Sequence, residues 1–248
     1  HALGLLMGHA ASAARLVRIN DCLLNFKPDP EANIRRVTAL GGELLHGTSA
    51  LYGRIENGRL CAVGRWNTPP DFQAEGAPEG QLCYAVIQED KREPLLVTDL
   101  QHSPYATSDR HVAKYGLQTY LGAAVRKGGR TIGALCVFYR QGKALSAEDR
   151  SILGILASAI SVEEERRAAR EALQQNARTQ KTILDNIHGG IIIVDAETRA
   201  IQDANPYALR LIGAAKEQVL GTVCHKHICS ADHGRCPVLD LGQKVDDS

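Results

Sequence analysis

Two pairs of strand-like segments, each joined by a tight turn that contains glycine, constrain the fold of this chain most strongly. The first pair is SALYGRI and RLCAVGRW, which flank an Asn57–Gly58 turn. The second is TYLGAAVRKGGRTIGALCVFYR, in which a Gly-Gly turn separates two apolar runs. Such turns between apolar runs indicate β-hairpins, which connect antiparallel strands.

Helical periodicity surrounds these hairpins. Residues 14–26 and 31–46 carry apolar positions at helical spacing, and QLCYAVIQED and residues 108–114 predict two short helices. EPLLVTDL predicts a strand, and SAEDRSILGILASAIS predicts a long helix with Ser146 as its N-cap. Because the strands lie too close together for parallel crossovers throughout, we expect an α+β fold with an antiparallel sheet and helices on one or both faces.

Residues 16–165 resemble a GAF domain. The stretch YGLQTYLGAAVRKGGRTIGALCVF resembles the closing hairpin of that family, with Gly133 entering the last strand, and SAEDRSILGILASAI resembles its final helix. The resemblance implies a sensory domain. We therefore expect a leader at 1–15, a GAF domain at 16–160, a helical linker at 161–184 and a further, partial domain at 185–248.

Residues 150–187 predict one long helix with a heptad pattern. Eight of eleven a and d positions are apolar, which indicates a coiled-coil seam and a homodimer formed through the linker helix. A solvated helical spacer is the alternative, because EEERRAARE is mostly charged. The a positions are Ile152, Ala159, Arg166, Leu173, Gln180 and Ile187, and the d positions are Ile155, Val162, Ala169, Asn176 and Ile183.

Residues 181–248 resemble the first half of a PAS domain. The resemblance lies in a helix that ends in DNI, a Gly pair, the strand IIIVD, Asn205 and the helix PYALRLIG, with Gly221 after it. Pro206 fits the first turn of that helix. The strands that would complete a PAS domain are absent, so we expect its N-terminal part only.

Three cysteines and three histidines lie close together in CHKHICSADHGRC. Thiolates and imidazoles are ligands of zinc and of iron–sulfur clusters, so Cys224, Cys229 and Cys236 with a histidine such as His225 are candidate metal or redox residues. The spacing matches no standard ferredoxin pattern. The alternatives are a disulfide-type redox switch and incidental thiols, and the cofactor stays unknown, with zinc or an iron–sulfur cluster as candidates.

Aromatic and thiol side chains near strand ends are candidates for a small-molecule pocket in the GAF-like region. The alternative is that each residue only packs in the core or at its rim, since large aromatics are commonly buried for packing. The candidates are Trp66, Cys83, Tyr84, Tyr105 and Tyr120.

A catalytic role is the alternative to a sensory one, because some GAF proteins reduce free methionine sulfoxide with cysteines. Of the cysteines that those reductases use, only one has a counterpart at a similar position here, which is Cys83 in GQLCY. Cys61 is too far upstream and HSPYATSD contains no cysteine, so the pattern lacks a resolving thiol. No phosphate-binding glycine loop, kinase nucleotide motif or cyclase signature occurs, so no catalytic residue is assigned.

Charge and hydropathy exclude several partners. The net charge of +1 gives no electrostatic case for nucleic acid, and no run of eighteen apolar residues could span a membrane. The odd number of cysteines, in apolar surroundings, favours reduced thiols in the cytoplasm. We expect a piece of a longer sensor that passes a small-molecule or redox signal through a dimeric helix to an output domain. The first candidate for that domain is a histidine kinase and the second is a cyclic-dinucleotide enzyme.

Overall fold

The computed structural model describes residues 2–228, 235–236 and 240–242, with the backbone alone for residues 2–11. The chain forms two compact units, His1–Arg170 and Glu171–Ser248. None of the described helices is long and apolar enough to cross a membrane.

The first unit is an α+β domain, which confirms the predicted fold class. Its helices, including α6, which continues into the second unit, are α1 Ala2–Leu24, α2 Pro30–Leu44, α3 Leu82–Glu89, α4 Tyr105–Ser108, α5 Arg110–Tyr115 and α6 Ala147–Asn186. Its strands are β1 Ser49–Glu56, β2 Arg59–Trp66, β3 Glu75–Gly76, β4 Leu95–Thr98, β5 Thr119–Lys127 and β6 Arg130–Tyr139. Helix α1 therefore runs across the expected boundary between residues 15 and 16.

The six strands form one antiparallel sheet in the order β3-β2-β1-β6-β5-β4. Both predicted hairpins are confirmed. At the β1–β2 turn Asn57 and Gly58 have φ of 50° and 76°, and at the β5–β6 turn Gly128 and Gly129 have φ of 56° and 80°. Two successive positive φ angles are what a type I′ hairpin requires.

The sheet carries a different core on each face. On one face, alternate residues such as Tyr52 of β1 and Leu135 of β6 pack with apolar residues of α2 and α6, including Ile34 and Leu156. We call this the helix face. On the opposite face, Leu51 and other intervening residues pack with α3 and α5. We call this the cavity face.

A β-bulge in β2 decides on which face its side chains lie. Tyr52 pairs with Gly64 and the next residue, Gly53, pairs with Ala62, so Val63 is the extra residue of the bulge. The inserted residue reverses the alternation, because neighbouring side chains along a strand point to opposite faces. Ala62 therefore faces the cavity, whereas Trp66 packs in the helix-face core.

Helix α6 begins as the sequence predicts. The hydroxyl of Ser146 accepts a hydrogen bond from Asp149 N at 3.1 Å, and the Asp149 carboxylate accepts one from Ser146 N at 2.9 Å. The pair forms a reciprocal cap. Ile152, a predicted seam position, is buried in the core of the domain itself, whereas Val162 is 56% and Leu173 71% exposed. A seam between two copies would therefore use positions after Ile152.

The second unit contains β7 Ile192–Val194, β8 Ile201–Ala204, α7 Pro206–Ile212 and α8 Lys216–Val219. The two strands pair antiparallel, and Pro206 begins α7 as predicted. Asn205 holds this unit together: its side-chain oxygen accepts from Ile191 N and Ala208 N at 3.0 and 2.8 Å, and its amide nitrogen donates to the carbonyls of Leu184 and Gly189.

Candidate ligand-binding site

A cavity of about 300 Å³ lies on the cavity face of the first unit. Its floor is the sheet, its far wall is the start of α3 and α5, and residues 67–76 border it. The residues that line it are Thr48, Ser49, Leu51, Gly53, Leu60, Ala62, Asn67, Thr68, Pro69, Pro70, Phe72, Gln73, Ala74, Glu75, Gly76, Gln81, Cys83, Asp109, Arg110, His111, Tyr115, Leu117, Phe138 and Arg140.

The floor is apolar because strand alternation and the bulge bring small and aliphatic side chains to it. Leu51 of β1, Leu60 and Ala62 of β2, and Phe138 of β6 all line the cavity. An apolar floor with a few polar groups on one wall is the usual composition of a small-molecule site.

Asp109 fixes the polar wall. It is only 4% exposed, and its two carboxylate oxygens accept different backbone hydrogen bonds. One accepts from His111 N at 2.9 Å and caps α5, and the other accepts from Leu82 N at 3.0 Å at the start of α3. The same carboxylate lies 3.1 Å from His111 Nδ1. Asp109 therefore joins two helix starts and orients an imidazole at the cavity.

An aromatic row continues this wall. The His111 ring lies 5.2 Å from the ring of Phe72, in a tilted arrangement, and 5.9 Å from that of Tyr115, in a stacked one. Tyr115 Oη donates to Asp71 at 3.2 Å, and Lys114 Nζ lies 2.7 Å from the same carboxylate. The Lys114 ammonium lowers the pKa of Asp71. These contacts attach residues 67–76, which we call the Pro-rich segment, to α5, so the segment covers the cavity in a defined position.

Of the five pocket residues predicted from sequence, Cys83 alone lines this cavity. Trp66 packs on the helix face, and Tyr120 is fully buried beside Cys136. Tyr105 packs against the cavity-face core, and Tyr84 is half-buried in α3. Sequence reasoning missed Asp109 and His111; the signal that points to Asp109 is an Asp at the start of a predicted short helix, which is a common N-cap.

Cys83 has a thiol neighbour that the sequence did not reveal. Its Sγ lies 3.0 Å from Cys136 Sγ, and Tyr120 Oη lies 3.1 Å from Cys136 Sγ. The hydrogen bond with Cys136, together with burial, raises the pKa of Cys83 well above its ordinary value. Burial likewise raises the pKa of Tyr120. The sequence pattern contains no partner thiol close to Cys83 in the chain, whereas the fold brings Cys136 to it from β6, a strand that is distant in sequence and packs on the same face.

On the helix face, a buried charge network joins the sheet to α6. Glu164 is fully buried and accepts from Arg54 at 2.8 Å, Tyr52 at 2.9 Å and Arg167 at 3.0 Å. Burial acts to raise the pKa of Glu164, but the hydrogen bond and charge of Arg54, with those of its other partners, outweigh burial and lower it. Burial and the neighbouring Glu164 raise the pKa of Tyr52.

The cysteine–histidine segment lies in the second unit. Cys224 and His225 form part of a short 3₁₀ turn, Cys224–Lys226, and Cys236 N donates to Asp240 at 2.7 Å. Cys229 lies outside the described residues. No group of three or more histidine, cysteine or acidic side chains that could hold a metal occurs within the described part of the chain. The metal site stays a prediction.

Comparison with known proteins places both units in families. Residues 8–163 match the GAF domain family and residues 178–243 match the PAS domain family. No curated protein sequence matches the chain.

Solved structures show the same GAF fold at low sequence identity. The GAF domain of a phosphoenolpyruvate-protein phosphotransferase from Coxiella burnetii has a TM-score of 0.55 at 16% identity, over 66% of this chain and 98% of that one. The GAF domain of a suggested sensor histidine kinase from Pseudomonas syringae pv. tomato has a TM-score of 0.51 at 18% identity, over 71% and 99%. The free methionine-R-sulfoxide reductase from Neisseria meningitidis, in complex with its substrate, has a TM-score of 0.52 at 17% identity, over 64% and 91%.

Proposed function

The chain belongs to the GAF domain family and carries a PAS domain after the GAF domain, and we propose that it senses a small molecule in the cavity and passes the signal along α6. The two families and the GAF structural neighbours support a sensory signalling module. The ligand, the output and the direction of the signal are parts of this proposal.

The observation that carries the proposal is that one strand touches both the cavity and α6. Leu51 and Gly53 of β1 line the cavity, while Tyr52 and Arg54 of the same strand hold Glu164 of α6. A ligand that shifts β1 would move a pair of buried hydrogen bonds on the helix. Because packed interiors do not deform continuously, such a shift changes the helix position rather than being absorbed locally.

The test is a small-molecule screen by thermal shift on the whole chain and two matched variants. Ala62→Leu fills the cavity, whereas Ala113→Leu makes the same enlargement at an exposed position of α5. A compound that raises the unfolding temperature of the chain and of Ala113→Leu, but not of Ala62→Leu, binds in this cavity. Binding that is equal in all three proteins would contradict the proposed site.

The proposal includes a homodimer formed through α6. Apolar side chains that are exposed along this helix support it, because an exposed apolar face on a helix is commonly covered by a partner. Replacing Val162 and Leu173 with Glu should convert the dimer to a monomer in light scattering, and an unchanged mass would place the interface elsewhere. The exposed apolar residues are Ile155, Val162, Leu173 and Ile183.

We propose that the output domain is a histidine kinase in a longer protein, with a cyclic-dinucleotide enzyme as the second candidate. We also propose that the module works in the cytoplasm. This chain alone should then acquire no label from radioactive ATP. Robust autophosphorylation would contradict the sensory assignment.

A reductase is the second candidate function, because Cys83 lines the cavity with Cys136 directly behind it. Free methionine-R-sulfoxide, supplied with thioredoxin, thioredoxin reductase and NADPH, should be consumed if the chain is such an enzyme. If the chain oxidises NADPH no faster than the Cys83→Ser variant does, the reductase function is contradicted and the sensory function is the only one of the two that remains.

We also propose that Cys224, Cys229 and Cys236, with His225, bind zinc or an iron–sulfur centre. The close spacing of soft ligands supports this. Anaerobic purification followed by metal and sulfide analysis separates the two. If neither metal is found, and Cys229→Ser leaves stability unchanged under reducing and oxidising conditions, these thiols are incidental.

A further inference from the structure

Two cysteines meet between α3 and the sheet, on the cavity face, although they are far apart in sequence. Cys83 lies in the first turn of α3 and Cys136 lies in the middle of β6. Their sulfur atoms are 3.0 Å apart, and a disulfide bond is about 2.05 Å long. A shift of about 1 Å, which side-chain rotation and a small movement of α3 can supply, would bring them to bonding distance.

The two thiols differ in access. Cys83 lines the cavity and is 6% exposed, whereas Cys136 is completely buried behind it and also contacts Tyr120 Oη. A small oxidant that enters the cavity therefore meets Cys83 first. Cys136 is buried and lies 3.0 Å from Cys83 Sγ, and this is the arrangement of an attacking thiol with a resolving thiol.

We propose that Cys83 and Cys136 are a reversible redox pair, which a small hydroperoxide entering the cavity converts to an intramolecular disulfide. This inference rests on the proposed sensory function and deepens it, because it names a redox signal at the same cavity. The methionine sulfoxide reaction is not required.

The chemistry balances in two steps. The Cys83 thiolate attacks the terminal oxygen of the hydroperoxide, the O–O bond breaks, and Cys83 becomes a sulfenic acid. The alkoxide or hydroxide that leaves takes up the proton that the Cys83 thiol released and becomes alcohol or water. The sulfur of Cys136 then attacks Cys83 Sγ and displaces hydroxide, which takes the thiol proton of Cys136 and leaves as water. The pair loses two electrons in all, and the hydroperoxide gains them.

The new bond would act on the strand that holds α6. Cys136 pairs with Leu51 of β1, and the next residue in β1, Tyr52, donates to Glu164. A bond from β6 to α3 would therefore fix α3 against the sheet beside the strand that joins the cavity to the helix.

The surroundings of Cys83 make the reaction slow at neutral pH and faster in alkali. Cys136 on β6, Tyr120 on β5 and Asp109 at the start of α5 face its thiol. The hydrogen bond and charge of Cys136, burial and the charge of Asp109 raise the pKa of Cys83, and they outweigh the hydrogen bond of Tyr120, which lowers it. Because the thiolate is the nucleophile, the rate should increase with pH until the raised pKa is reached.

Peptide mapping tests the pair directly on the whole chain. The protein is treated with hydrogen peroxide, denatured, alkylated with N-ethylmaleimide and digested with trypsin, which places Cys83 in peptide 66–91 and Cys136 in peptide 131–140. We expect the two peptides to be linked, in a yield that rises with pH between about 7 and 9, and to be released by dithiothreitol.

Matched variants distinguish this pair from other thiols. Cys136→Ser should leave Cys83 as a sulfenic acid that dimedone traps, whereas Cys61→Ser should leave the linked peptides unchanged. Three results would each overturn the proposal. The first is recovery of both peptides only in alkylated form, the second is irreversible oxidation of Cys83 without linkage, and the third is linkage of Cys83 to another cysteine. Since no cavity ligand is needed, these results do not depend on whether a ligand is found in the screen.

Discussion

The two faces of the sheet in the first unit are packed differently. The helix face is filled by side chains of α2 and α6, and its buried carboxylate, Glu164, has three hydrogen-bond partners. The cavity face keeps about 300 Å³ open and orients polar groups toward the space. The comparison teaches that one sheet can carry a filled core on one face and an open cavity on the other, while the alternation of β1 keeps the two faces in contact.

The largest effect should come from breaking the charge network of the helix face. Arg54→Met leaves Glu164 buried without its main partner, and we expect a loss of about 3–5 kcal/mol in the free energy of unfolding. The control, Arg59→Met, breaks an exposed pair with Glu75 and should cost about 1 kcal/mol or less. Urea denaturation measures both. Equal losses would show that burial does not distinguish the two pairs.

Acid should remove the difference between the chain and Arg54→Met. The folded pKa of Glu164 lies below its unfolded value, so the contribution of this group is present above about pH 4.3 and is lost as pH falls through the folded pKa. The difference in the free energy of unfolding between the two proteins should therefore be constant near neutral pH and shrink below about pH 4. A difference that stays constant into acid would assign the Arg54 effect to packing.

A smaller effect should follow from adding volume to each face. A Cβ on Gly42 of α2 would overlap the indole of Trp66, so Gly42→Ala should cost about 1–3 kcal/mol. Ala62→Leu adds more atoms, but it adds them to the open cavity and should cost less than Gly42→Ala. Thermal and urea unfolding of both variants check this. A larger loss for Ala62→Leu would mean that the cavity is packed when the protein is in solution.

The smallest effect should come from the two capping aspartates. Asp109→Asn replaces one of two carboxylate acceptors with an amide that cannot accept from Leu82 N, at a cost of about 1 kcal/mol. Asp29→Asn, on the helix that covers the other face, changes a cap with one acceptor role, and Asn caps as well as Asp. The Asp29 variant should therefore match the unaltered chain in urea denaturation. A loss there equal to that of Asp109→Asn would refute a special role for the bridging carboxylate.

Local patterns predicted most elements because their causes lie within a few residues. The Asn57–Gly58 and Gly128–Gly129 turns, the cap at Ser146 and the start of α7 at Pro206 were all predicted and all are present. The two-residue strand β3, inside the Pro-rich segment, was not predicted, since its only support is pairing with β2.

The sequence by itself determined most of the secondary structure, the antiparallel hairpins and the order of a GAF domain, a long helix and a PAS domain, because turn residues and hydrophobic period act over short distances. Only the tertiary structure decided which side chains meet. The bulge at Val63 placed Trp66 on the helix face, and the packing of α3 and α6 against the sheet brought Cys83 to Cys136 and Glu164 to Arg54. These contacts join residues 53 to 110 positions apart, and a pattern with a period of two or of 3.6 residues carries no information over such separations.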